Sequence, residues 1–250
     1  MSNFVEVKNV KIGDGIPKIC VPLVAETKED FIKAAKEITS IKLDIVEIRI
    51  DHFKDVENLE KVKGLVKDLR DILKEIPLLF TFRSLKEGGK REITTEYYKE
   101  LIVKTADLVD LVDIELFTGD EVVKEIISAA HNAGAKVVMS NHDFHKTPPK
   151  DEIVKRLCRM QELGGDIPKI AVMPQSIEDV LTLLQATVEM KEKNIPVITM
   201  SMGGLGVISR ICGETFGSAL TFGAAGTASA PGQIDVEALE NILGILHRAK

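Results

Sequence analysis

Short apolar runs alternate with amphipathic stretches of helical period along almost the whole chain. Eight runs rich in Val, Ile and Leu, at 18–24, 43–50, 77–83, 108–116, 135–142, 168–173, 196–202 and 219–224, predict strands. Apolar residues spaced for one face of a helix follow each of them. In the first such stretch Thr27-x-x-Asp30 predicts a capping box, and Phe31, Ala34, Ala35 and Ile38 form the stripe. The others run at 56–73, 95–106, 121–132, 150–163, 177–193, 206–214 and 236–248, with Gly134 and Asn194 placed to close two of them. Eight strand–helix units in 250 residues predict a closed (β/α)₈ barrel occupying 1–250 as one domain. Segments 4–7 and 10–12, within an extension at 1–16, predict a hairpin that closes the barrel bottom. An open doubly wound sheet is the alternative, but no early strand leads into a G-x-G-x-x-G turn.

Chemistry in such barrels gathers at the carboxyl ends of the strands, so polar residues should fall late in each strand and on one parity. In DIVEIRID (44–51), Glu47, Arg49 and Asp51 share one face and Val46, Ile48 and Ile50 the other. Thr81 and Arg83 alternate with Phe80 and Phe82, and Asp113 and Glu115 with Val112 and Ile114. The fifth strand ends in Ser140-Asn141-His142-Asp143, and the sixth carries Lys169 in phase with Ala171 and Met173. One such strand could be a solvated edge; five on one parity point to a shared polar cavity.

Composition narrows the classes. Hydrophobic residues make up 44%, enough for a sizeable core, but aromatics are only 4% and Trp is absent, so aliphatic side chains must fill it. A net charge of −6 argues against a nucleic-acid surface. No apolar run reaches about 18 residues and the N-terminus lacks a signal-type apolar core, so no membrane partner is expected. The three cysteines, Cys20, Cys158 and Cys212, are too scattered for a disulfide framework or a zinc site, which points to the cytoplasm.

Lys169 stands out because every other side chain in IPKIAVMP (167–174) is apolar. In water about one lysine in a few thousand is uncharged at pH 7, and burial can raise that fraction and yield a nucleophile for carbonyls. The other reading is a strand end whose ammonium reaches solvent. His142, on the preceding strand, is placed for proton transfer beside such an amine. His142-x-x-His145 with Asp143 could instead begin a metal site, although no further His or Cys cluster completes one.

Together the segments EIRID (47–51), FTFRSLKEGG (80–89), DLVDIEL (110–116), MSNHDFHKTP (139–148), DIPKIAVMP (166–174), ITMSMG (198–203), Ser209-Arg210 and TFGAAGTASAPGQI (221–234) resemble type I 3-dehydroquinate dehydratase, in that family's order. The resemblance implies dehydration of 3-dehydroquinate to 3-dehydroshikimate, the third step of the shikimate pathway of aromatic amino acid biosynthesis. It implies no metal and no cofactor, and it suggests a homodimer. Lys169 would form the Schiff base, His142 would shuttle the proton, and Glu87 would orient the imidazole. Arg210 would pair with the substrate carboxylate, and Ser229 and Gln233 would close over the ligand. Glu47, Arg49 and Arg83 match residues around the ring hydroxyls, Met202 and Phe222 apolar walls; Asp113 and Glu115 are expected to balance the cations. The chain departs from the family pattern at Pro22, Asn141, Gly204 and Gly226, none of them a catalytic position. Rival readings are a class I aldolase, a silent anion-binding barrel and a metal hydrolase.

Overall fold

A computed structural model describes residues 4–226 and 230–249. Among the described residues the chain opens with strands β1 (Val5–Val7) and β2 (Val10–Ile12) and then alternates strand and helix. In order these are β3 (Lys18–Leu23), α1 (Lys28–Ile38), β4 (Ile45–Arg49), α2 (Leu59–Leu73), β5 (Leu78–Thr81), α3 (Thr95–Val103), β6 (Leu111–Glu115) and α4 (Asp120–Asn132). There follow β7 (Lys136–Asp143), α5 (Lys150–Glu162), β8 (Ile167–Val172), α6 (Ile177–Glu192), β9 (Ile198–Ser201), α7 (Ile208–Ile211), α8 (Gly213–Phe216), β10 (Leu220–Ala224), β11 (Ile234–Asp235) and α9 (Val236–Arg248).

Strands β3 to β9 pair in parallel in chain order, and β10 pairs with β3 on the other side. A parallel bridge between Val197 and Ser218 joins β9 to β10 and closes the expected eight-stranded barrel. The short β11 adds to the end of β10 beyond the ring. Two cores result. One lies between strands and helices and draws on the outward parity, including Val46, Ile48, Phe80, Val112 and Ile114. The other lies inside the barrel, where Ile45, Leu79, Leu111, Val138, Ile167 and Ile198 fill the bottom. Val7, Val10 and Ile12 join that inner cluster, so the β1–β2 hairpin plugs the bottom as its apolar alternation implied. The functional groups are thereby confined to the upper half, above an apolar floor.

Local signals hold at most boundaries. Thr27 caps α1 by accepting from the Asp30 amide, with its own hydroxyl donated to the Asp30 carboxylate. Gly134 and Asn194 take left-handed conformations just beyond α4 and α6. Several elements are shorter than expected: the strand expected over 77–83 ends at Thr81, and that over 108–116 is Leu111–Glu115 between 3₁₀ turns at Ala106–Leu108 and Leu116–Thr118. The strand expected through residue 50 ends at Arg49, and Ile50–His52 forms a 3₁₀ turn that swings Asp51 back onto Arg49. The helix expected over 206–214 is two single turns meeting at Cys212. Gly206 lies so close to Ser201 that a Cβ there would be 2.3 Å from its carbonyl carbon. The Ser209 hydroxyl donates to the Gly206 carbonyl and accepts from the Ser201 amide, pinning the first turn to β9.

Candidate active site

The strand parity read from the sequence is the parity of the barrel interior. Glu47, Arg49, Arg83, Glu87, His142, Lys169, Met202, Arg210, Phe222 and Gln233 all line one cavity of about 500 Å³, its mouth included. Ser229, expected to close over a ligand, lies outside the described residues.

Lys169 sits in mid-strand on β8, only 3% exposed, so the strand-end reading with a solvated ammonium does not apply. Its Nζ is 3.4 Å from Asp113 Oδ2 and 3.9 Å from Glu47 Oε1, and it lies 4.5 Å from the centre of the Phe222 ring. Glu47 is itself fixed by the Thr81 hydroxyl, which donates to Oε1 at 2.9 Å. The amine therefore has a defined place rather than a mobile tip.

His142, near the end of β7, faces Glu87 across the cavity rim. Glu87 Oε2 accepts the His142 backbone N–H at 2.9 Å and lies 3.0 Å from Nδ1. The loop after β5 puts Glu87 there through a 3₁₀ turn, Leu85–Glu87, that ends at Gly88 with φ +83°. A Cβ on Gly88 would fall 2.2 Å from the Phe144 ring, and one on Gly89 1.8 Å from the Arg83 carbonyl oxygen. Two glycines in succession are thus what lets the loop fold tightly enough to bury a carboxylate. Burial pushes the imidazole well below its ordinary pKa, and Arg83, Lys169 and Arg49 push the same way, so His142 is neutral near pH 7. Burial raises the Glu87 carboxyl to about 8, partly offset by Arg83 and by the Asn141 amide. In the ionised form of Glu87, whose Oε2 already accepts the His142 backbone N–H and whose Oε1 accepts the Asn141 amide, the imidazole keeps its proton on Nδ1 and leaves Nε2 as the basic nitrogen.

Two of the arginines are committed to the protein. Arg83 donates to Asp113 at 2.8 Å, to Glu115 at 2.9 Å and to the Ser140 hydroxyl at 2.9 Å. Against its own burial, Asp113 is held below the usual carboxylate range by Arg83 and Lys169. Arg49 makes a two-pronged pair with Asp51 at 2.8 and 2.9 Å, and Asp51 also accepts the Lys90 amide, tying β4 to the loop that carries Glu87.

Arg210, on α7, is different. It is 2% exposed, and among the described residues no carboxylate acts on it. Nη2 donates to the Pro231 carbonyl at 2.9 Å, Nη1 lies 3.8 Å from Met200 Sδ, and Nε has no partner among the described residues. Burial lowers its pKa to about 10, still far above neutrality, so it remains a cation at pH 7. A buried cation without a counter-charge is costly unless an anion completes it.

Sequence reasoning did not anticipate Asn141, counted as a departure of no catalytic consequence. Its Nδ2 donates to Glu87 Oε1 at 3.2 Å. It also missed Phe144 and Met200 as cavity walls, and placed Ala171 in phase with Lys169 without naming it as one. The inward parity of Met200 could have found it; nothing in the sequence marks Phe144, which lies beyond the strand pattern. His145 is exposed, and Asp143 accepts the His145 and Lys146 amides in a local turn rather than joining His142 in a cluster.

An amine, a neutral base and a guanidinium with no carboxylate partner among the described residues share one small cavity of a (β/α)₈ barrel, the layout of a barrel enzyme. The particular family is identified by comparison: the chain belongs to the type I 3-dehydroquinases, whose family model matches residues 19–250. It is 56% identical to the 3-dehydroquinate dehydratase of Clostridioides difficile over 100% of this chain and 99% of that one. It is 57% identical to the enzyme of Clostridium botulinum over 99% of each chain. Among solved structures, type I 3-dehydroquinate dehydratase from Clostridium difficile, carrying covalently modified comenic acid, superposes with a TM-score of 0.97 over 100% of both chains. The 3-dehydroquinate dehydratase of Geobacillus kaustophilus, 38% identical, superposes at 0.96 over 99% of each.

Proposed function

We propose that this chain is a 3-dehydroquinate dehydratase, a hydro-lyase of the shikimate pathway, and that it works through an imine on Lys169. The observation that carries the reading is the pairing, in one cavity, of the buried Lys169 amine with the Arg210 guanidinium that lacks a carboxylate partner among the described residues. The first suits the substrate's ketone and the second its carboxylate. The relatives' names supply the substrate; the covalently modified comenic acid of the Clostridium difficile structure is in keeping with a nucleophile in the site.

Lys169 Nζ adds to the ketone and water leaves, giving an iminium. His142 Nε2 then takes a proton from the carbon beside it, and the electron pair moves into the C–N system, which serves as an electron sink. The same imidazolium returns that proton to the departing hydroxyl, so water is lost and a conjugated iminium remains. Addition of water releases 3-dehydroshikimate and restores the amine. Glu87 acts on His142 rather than on the substrate. Arg49, Glu47 and Gln233 surround the ring, and Met202 and Phe222 supply apolar walls. Arg83 contributes by holding Asp113 and Glu115 in place. The reaction needs neither metal nor cofactor, and we assign it to the cytoplasm and to a homodimer.

Borohydride added with 3-dehydroquinate tests the mechanism. Mass spectrometry should find a reduced adduct on Lys169, and Lys169→Ala should lose turnover by several orders of magnitude while retaining ligand binding. Adduct on another lysine, or none in an active enzyme, removes the imine from this account.

A further inference from the structure

Glu87 uses one oxygen for His142 and turns the other toward Asn141. Oε2 takes both the backbone N–H and Nδ1 of His142, whereas Oε1 takes Asn141 Nδ2 at 3.2 Å. Asn141 is 4% exposed and sits on the opposite parity of β7 from His142. Its Oδ1 accepts from Arg156 Nη1, on α5, at 3.0 Å.

This order of atoms has a direction. An asparagine amide has a donor end and an acceptor end that exchange when it turns over, whereas a guanidinium only donates. Arg156 can bond Oδ1 alone, so the amide NH₂ must face Glu87. Reversed, the amide would set its oxygen against a carboxylate and its NH₂ against a cation. Arg156 is itself held: Nε donates to Glu152 at 2.8 Å, and the guanidinium lies 5.5 Å from the centre of the Phe117 ring.

We propose that Arg156 is a positioning residue for the reaction: through Asn141 it anchors Glu87 against Nδ1 of His142, keeping Nε2 free as the base. The inference rests on the role assigned above to His142. Other charges also face the pair. Arg83 lies 3.5 Å from Glu87 Oε2, Asp113 and Glu115 act on Glu87 from β6, and Lys169 and Arg49 act on His142. Arg83 already serves Asp113, Glu115 and Ser140, so Asn141 is the donor left to hold Oε1.

Removing the relay takes a hydrogen bond away from the charged form of Glu87, so the Glu87–His142 pair binds a proton at higher pH. In Arg156→Met the acid limb of the kcat–pH profile should move up by about one unit. Well below the limb kcat then drops about tenfold, with KM little changed. Arg156→Lys, which keeps a donor, should recover part of the shift. Asn141→Leu should give the same displacement, and the double variant no more than either single one. The tautomer can be read without turnover, by ¹⁵N NMR of histidine-labelled free enzyme. At pH 9, above the Glu87 value of about 8, His142 should be protonated at Nδ1 in the wild type and mixed in Arg156→Met; if that variant does not fold, Asn141→Leu carries the same measurement. An unchanged acid limb and an unchanged tautomer overturn the relay. Borohydride trapping on Lys169 in the wild type keeps the two ideas apart: its failure sinks the imine mechanism, whereas intact trapping with an unmoved profile sinks only the role of Arg156.

Discussion

Arg210 is costly to the fold and, in the function proposed above, holds the substrate carboxylate. Its guanidinium is buried against the Pro231 carbonyl and a methionine sulfur, partners too weak to replace a counter-ion. Replacing a buried charge by an apolar side chain of similar volume is often neutral or stabilising by about 1–4 kcal/mol. The substrate carboxylate keeps its charge throughout the elimination, so Arg210 contributes equally to ground and transition states. Arg210→Met should therefore raise KM far more than it lowers kcat. A loss of about 2–5 kcal/mol corresponds to roughly 30- to several-thousand-fold in kcat/KM. Its Tm should equal or exceed that of the parent. Arg210→Lys should recover only part of the affinity, because an ammonium lacks the planar fork. Steady-state kinetics with calorimetry decides; a falling Tm with nearly normal KM would make Arg210 a structural residue.

At the scale of elements, the loop between β5 and α3 is the one on which the site depends most. It carries Glu87, and its fold needs Gly88 in a left-handed conformation that costs other residues about 1–2 kcal/mol. A methyl at Gly88 would also push the Phe144 ring, which lines the cavity. Gly88→Ala should loosen Glu87 from His142, lowering kcat about tenfold while borohydride still traps substrate on Lys169. Unchanged kcat would mean that the loop tolerates the shift and that Glu87 placement is not critical. The sequence showed the strands well for a physical reason. Parallel strands buried on both faces must be apolar, so each polar residue on the inward parity (Glu47, Arg83, Asp113, His142, Lys169) was conspicuous. The loop was not legible in that way. Glu87 by itself reads as a solvated carboxylate, and its burial depends on a double glycine acting against Arg83 and Phe144, groups that no local pattern connects. Asn141 was hidden for a related reason: its partners are 54 residues upstream and 15 residues downstream. The 206–214 segment failed as a helix because Gly206 and Ser209 answer to β9 rather than to helical period.

Over the whole molecule, charge and apolar packing are separated along the barrel axis. The buried charged side chains among the described residues are Glu47, Arg49, Asp51, Arg83, Glu87, Asp113, Glu115, Lys169 and Arg210: five acids and four bases, all in the site or bonded to it. Such a cluster is a poor source of stability, because desolvation offsets much of the attraction between the charges. Stability must come from the helix layer and from the floor below, where the β1–β2 hairpin inserts Val7, Val10 and Ile12 into the inner cluster. Ile12 is fully buried there, among the aliphatic residues of the barrel floor. Ile12→Ala should cost about 2–5 kcal/mol, the transfer of the lost atoms plus the cavity they leave. For a chain of this size that lowers Tm by roughly 5 to 15 °C. At 25 °C, where the variant remains folded, kcat and KM should match the parent, because the layer carrying Lys169 rests on β-strands held by their neighbours as well as by the floor. Thermal unfolding and kinetics on the same preparation provide the check. If kcat dropped together with Tm, the floor would be setting the geometry of Lys169 as well as its stability, and the two ends of the barrel could not be treated as independent.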